Sequence, residues 1–225
     1  MKIGDKCYYC SEIGMTEEHV PPKCIYPEMK DIGENYRENL MWVPSCELHN
    51  NMKSKDDEYL LLCLVLSDFT NKIGDLLGRT KITRIIKKFP GKIRKHMIAP
   101  RFVPIMQGGE LKNRLSYEYD INRLSEVFKK ITAALYLLHY KEYYDTSLKI
   151  IVNHIDMQKF ENGQKILINE ENRKIIQSEL FQTASKHGVY QNVFYYQTTG
   201  FENACVFNLV FYEGFNIITS IQNLA

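Results

Sequence analysis

The chain reads as an α+β protein on three observations. Two pairs at identical spacing, Cys7-x2-Cys10 and Cys46-x2-His49, bracket two short extended segments and precede a helix. Leu124, Phe128, Ile131, Leu135 and Leu138 recur at helical spacing and form one apolar stripe. Beyond residue 190 the chain turns to segments rich in Val, Ile, Phe and Tyr, two of them joined by Glu213-Gly214 as an antiparallel hairpin. Together these predict a zinc-stapled N-terminal module of two strands and a helix, a helical basic middle, and a C-terminal α+β part. The expected division is 1–100 and 101–225.

Taken in order, the strands of the first module are expected at 18–25 and 40–43, with the Gly-, Glu- and Asn-containing stretch 28–38 as the loop between them. Pro21 and Pro22 confine the first strand to an edge or an irregular extended segment, because proline has no N–H for a ladder. The helix follows over 50–67, with Asp56, Asp57 and Glu58 in its early turns and the apolar run 59–66 behind them. Ile73, Leu76, Leu77, Ile82, Ile85 and Ile86, interleaved with Lys and Arg, predict one or two amphipathic helices over 71–95, ended near Phe89-Pro90-Gly91. Pro100, Pro104 and Gly108-Gly109 mark loops, and the domain boundary is placed between Pro90 and Gly109. A long helix is predicted over 122–140, a strand over 149–153, a helix over 170–187 stopped by Gly188, and strands over 193–196, 204–212 and 215–221.

With 225 residues, 44% of them hydrophobic and 25% charged, the chain can bury a substantial core as one large or two small domains. No apolar run approaches the ~20 residues of a membrane span, and the N-terminus has no apolar signal region, so a cytoplasmic protein with no membrane partner is expected. Of six cysteines, Cys24, Cys63 and Cys205 lie outside the paired motif and form no disulfide-like framework, as in a reducing compartment. The net charge of +2 is unevenly divided. Residues 1–60 carry −5, residues 61–115 carry +9 and residues 116–225 carry −2. A basic middle beside an acidic, metal-binding end points to a polyanionic partner.

Cys7, Cys10, Cys46 and His49 supply four N/S ligands for a closed, tetrahedral zinc site, with Cys24 as an alternative fourth ligand in place of His49. Glu18-His19 lies between the pairs and outside that ligand set. Over roughly the first quarter of the chain, these residues resemble the HNH family of ββα-metal endonucleases, in an HNN variant. The resemblance places His19 at the family's first histidine, Glu18 at the preceding carboxylate, Asn39 at the central Asn and Asn50 at the third motif position. Cys46-x2-His49 departs from the more frequent C-x2-C, and Asn50 stands where many members have His.

The resemblance implies metal-dependent hydrolysis of DNA phosphodiesters. In that reading His19 is the general base and Asn39 orients it. Glu18 and Asn50 hold a catalytic Mg²⁺ or Mn²⁺. Lys53 would contact a phosphate, and Lys87, Lys88, Arg94 and Lys95 in the basic middle would bind the nucleic-acid backbone. Two other readings stand beside it. One keeps the zinc module as a nucleic-acid-binding unit without cleavage. The other gives 101–225 a protein partner or ligand that regulates a nuclease in a restriction or anti-phage system.

Overall fold

A computed structural model of the chain describes residues 1–51, 54–67, 70–89, 91, 98–107, 110–145, 147–153, 160–161, 164–165 and 178–223. The first strand, β1 (Thr16–His19), pairs antiparallel with β2 (Trp42–Ser45), in a register that sets Thr16 opposite Ser45 and His19 opposite Trp42. The predicted first strand was too long: Pro21 and Pro22 offer no ladder N–H, and the chain enters a 3₁₀ turn at Lys23–Ile25. Between the strands lies a one-turn helix, α1 (Met29–Ile32), with Glu28 and Asp31 capping its N-terminus reciprocally and Gly33 closing it in the left-handed region.

After β2 the chain forms α2 (Glu47–Asn51) and α3 (Ser54–Val65), which cover most of the helix expected over 50–67 but begin at 47 and end at 65. A helical stretch then runs as α4 (Lys72–Leu77), a π-helical turn over Gly78–Ile82, and α5 (Thr83–Lys88). Asn71 caps α4 by accepting from the N–H groups of Ile73 and Gly74. Strands β3 (Ile98–Gln107) and β4 (Glu110–Glu118) then form a hairpin where loops were expected. Pro100 and Pro104 do not prevent it, because among the described residues the sheet has two strands, so each is an edge and can spare N–H donors.

The long helix is α6 (Ile121–Tyr140), capped by Asp120, whose carboxylate accepts from the Arg123 N–H. The C-terminal sheet contains β5 (Lys149–Asn153), β8 (Phe194–Phe201), β9 (Ala204–Phe211) and β10 (Phe215–Gln222), ordered β5-β10-β9-β8 and antiparallel throughout. A small separate hairpin joins β6 (Phe160–Glu161) to β7 (Gln164–Lys165). The hairpin between β9 and β10 turns at Tyr212 and Glu213, both at positive φ. The helix expected over 170–187 lies partly outside the described residues, and within them the chain has left the helix by 182.

The apolar stripe of α6 packs on this sheet, with Phe128 against Phe211 at a ring distance of 6.1 Å and the Thr132 hydroxyl bonded to that of Thr219 at 2.8 Å. The same buried cluster continues into α3 and the N-terminal module, so residues on both sides of the predicted boundary share one core. Polar ties reinforce the junction. The Tyr212 hydroxyl donates to the Ile25 carbonyl at 2.6 Å, and Arg123 lies over the Tyr59 ring while binding Asp56 at 2.6 Å.

Candidate metal centre

The two ligand pairs are presented by different kinds of structure. Cys7 and Cys10 sit on a knuckle closed by a bridge between Lys6 and Ile13, with the Cys7 N–H bonded to the Glu12 carbonyl at 2.7 Å. The knuckle is fastened to β2 by the Tyr8 N–H, which donates to the Pro44 carbonyl at 2.9 Å. Gly14 makes that approach feasible: a Cβ there would lie 2.6 Å from Pro44 Cβ. Cys46 is the single residue between β2 and α2, and His49 lies in α2, so one tight strand-to-helix turn delivers the second pair.

The four ligand atoms all lie within 4.8 Å of one another. Cys10 Sγ is 3.8 Å from Cys46 Sγ, and His49 Nδ1 is 3.6 Å from Cys7 Sγ and 3.2 Å from Cys46 Sγ. Zn–S bonds of about 2.3 Å and Zn–N bonds of about 2.0–2.1 Å in a tetrahedron separate two sulfurs by about 3.8 Å and a sulfur from a nitrogen by about 3.6 Å. The donor set therefore fits zinc in chemistry, and its separations lie around the tetrahedral values, with Cys46 and His49 a few tenths of an ångström closer. It is a structural zinc-binding site. Zinc held there supplies a cross-link between the knuckle and α2, with no coordination position left open for substrate.

The surroundings tune the ligands. Burial would raise the Cys7 thiol, but backbone N–H donors at Tyr9, Cys46 and Cys10 outweigh it and hold the pKa below the usual value, favouring the thiolate. Cys10 is pushed up to about 11, first by burial and further by the neighbouring thiols. His49 is lowered by burial and by Lys130, which favours the neutral imidazole a metal requires. Tyr9 packs edge-on against His49 at 5.2 Å and stacks on Tyr144 at 5.8 Å, tying the centre to the segment after α6. Tyr9 was not singled out from the sequence, and its place inside the CYYC knuckle is the only signal that marks it. Cys24 is no ligand: its thiol donates to the Asp57 carbonyl at 3.2 Å, and His49 takes the fourth position.

The endonuclease assignment is corrected by this centre. The residues gathered to hold metal are three cysteines and one histidine, not a His-Asn-His active site, and no other group of three or more His, Cys, Asp or Glu is assembled among the described residues. The catalytic Mg²⁺ or Mn²⁺ expected at Glu18 and Asn50 finds no support. Glu18 and His19 are consecutive on β1, where side chains alternate between faces, and Glu18 is buried while His19 is half-buried. The Asn50 amide donates to the Thr16 hydroxyl at 2.8 Å. Asn39 is exposed at a left-handed φ of 52°, and no hydrogen bond joins it to His19 among the described residues. Burial, then Lys23, lowers the His19 pKa. With the nuclease go the hydrolase chemistry and the anti-phage role inferred from it.

The residues expected to contact phosphate are placed only in part. Lys87 and Lys88 are exposed on α5, whereas Lys53, Arg94 and Lys95 lie outside the described residues. Lys81 and Arg84 are engaged within the chain: Lys81 Nζ donates to the Cys24 carbonyl at 2.8 Å, and the half-exposed Arg84 pairs with the buried carboxylate of Asp31. Comparison with known proteins returned no matching family model, no matching curated protein and no matching solved structure. Among the described residues no helix is long and apolar enough to cross a membrane.

Proposed function

We propose that the chain is a zinc-stabilised nucleic-acid-binding module that acts without cleavage. The observation that carries this reading is the segregation of charge on a metal-pinned scaffold: residues 61–115 have a net charge of +9, and Lys87 and Lys88 are exposed on α5. The zinc supports the reading from the other side, since a closed four-ligand site builds a surface and does not activate water. Contacts of this kind neutralise phosphates and release counterions, so they favour nucleic acid over neutral partners without reading sequence.

The test is fluorescence anisotropy with labelled duplex DNA and single-stranded RNA of mixed sequence, without added magnesium, over a range of salt concentrations. Binding should weaken steeply with salt, and Lys87→Glu/Lys88→Glu should weaken it across all sequences and flatten the slope by up to roughly 0.9 per lost contact on duplex DNA. Unchanged affinity and slope in the double variant would reject α5 as the phosphate contact. Absence of binding to either probe at low salt would reject the function.

A further inference from the structure

Beside the zinc centre lies a groove of about 560 Å³ lined by Glu12, Ile13, Met15, Cys46, Glu47 and Leu48. Ile13, Met15 and Leu48 are 61%, 62% and 62% exposed, and the carboxylates of Glu12 and Glu47 stand exposed at its rim. Isolated exposed hydrophobics are ordinary, whereas three around one concavity with an acidic rim form a docking surface. A complementary surface occurs elsewhere on the same chain. At the end of α5, Ile86 and Phe89 are exposed three residues apart, with Lys87 and Lys88 between them. Groove and helix end are both exposed in one molecule, so neither covers the other within a single chain.

We propose that the α5 end of one copy of this chain seats in the groove of a second copy. Ile86 and Phe89 bury against Ile13, Met15 and Leu48, while Lys87 and Lys88 meet Glu12 and Glu47. Charge complementarity orients the encounter, because the first 60 residues carry −5 and residues 61–115 carry +9. The contact is heterologous, helix to groove, and each copy keeps one unused surface of each kind. The inference stands apart from the nucleic-acid reading, although both use Lys87 and Lys88, so a polyanion competes with assembly.

Sedimentation equilibrium of the full-length, zinc-loaded chain without nucleic acid tests it. The mean mass should rise above one chain with increasing concentration, and the rise should shrink at high salt. Leu48→Glu in the groove and Lys87→Glu/Lys88→Glu on α5 should each weaken association by roughly tenfold or more. Mixing these two variants is the decisive arm, because one retains an intact helix end and the other an intact groove. The mixture should form a one-to-one pair that neither variant forms alone. A groove-to-groove dimer would instead leave the lysine variant fully associated and show no recovery on mixing, which overturns the proposal. So does a parent chain that stays monomeric throughout. Zinc content and thermal unfolding equal to the parent's certify each variant, and Met15→Glu replaces Leu48→Glu if the latter loses metal. Nucleic-acid binding retained by the groove variant separates this inference from the function proposed above.

Discussion

The N-terminal module and the C-terminal sheet solve the same problem by opposite means. In the first module the paired strands are four residues each and α2 is five, too short to bury much surface by themselves. Their positions depend on four ligand atoms drawn together around one ion site. In the second, three strands of eight residues lie against a twenty-residue helix, and Phe128, Phe207, Leu209, Phe211 and Ile217 are almost completely inaccessible to water. Burial suffices where elements are long, and a cross-link substitutes where they are short. The two halves nonetheless share one core, so the contrast is one of local support within a common interior.

The sharpest break of this contrast is removal of zinc. Structural zinc contributes apparent free energies of about 10–16 kcal/mol in small zinc modules, so chelation or Cys46→Ser should cost amide protection first in residues 1–51. Strands β8 to β10 should keep theirs longer. Hydrogen exchange read by mass spectrometry decides the matter, and simultaneous loss in both regions would show that the metal supports the whole fold.

A smaller effect of the opposite kind is expected from Phe128→Ala. The ring is fully buried against Phe211, and its removal should destabilise the protein by about 3–5 kcal/mol through lost burial and a cavity. Metal content at low denaturant should stay that of the parent, and chemical denaturation with parallel zinc assay measures both. Early zinc loss in this variant would mean that the sheet, not the ligand set, holds the knuckle in place.

The smallest effect concerns the junction of α1 with α5. Burial tends to raise the Asp31 carboxyl, but the Arg84 guanidinium and the Glu28 N–H outweigh it and hold the pKa below its ordinary value of 3.8. A depressed folded pKa contributes stability that is complete above the unfolded value and is lost as pH falls through the folded one. Arg84 is half-exposed, so solvent screening limits the pair to about 1 kcal/mol. Arg84→Gln should therefore lower stability near neutrality slightly and move the acid-unfolding midpoint to higher pH. An unchanged midpoint in a circular-dichroism titration would remove Asp31 from the account.

What could be read from the sequence follows the same division. The ligand set was legible because Cys7, Cys10, Cys46 and His49 carry the required chemistry at a spacing that few other arrangements need. Helix α6 was legible because its stripe is long and regular, and the β9–β10 hairpin because turn residues punctuate apolar runs, although its turn begins at Tyr212, one residue before Glu213-Gly214. The hairpin of β3 and β4 was not, since Pro100 and Pro104 read as loop when strand pairing is hidden. The active site was over-read for a physical reason. Motif order placed Glu18 beside His19, but strand alternation sends consecutive side chains to opposite faces, and order along the chain says nothing of that. Equally, Lys81 and Arg84 count towards a basic segment in sequence although each already has a partner within the chain, the Cys24 carbonyl and the Asp31 carboxylate.

A closed site built from three sulfurs and one nitrogen gives zinc a distinctive coordination shell. X-ray absorption at the zinc edge of the purified chain measures that shell directly. It should show one zinc per chain with three sulfurs at about 2.3 Å and one nitrogen at about 2.0–2.1 Å. A shell dominated by oxygen, or one that exchanges a ligand for water or added phosphate, would contradict a structural centre and return the metal to chemistry.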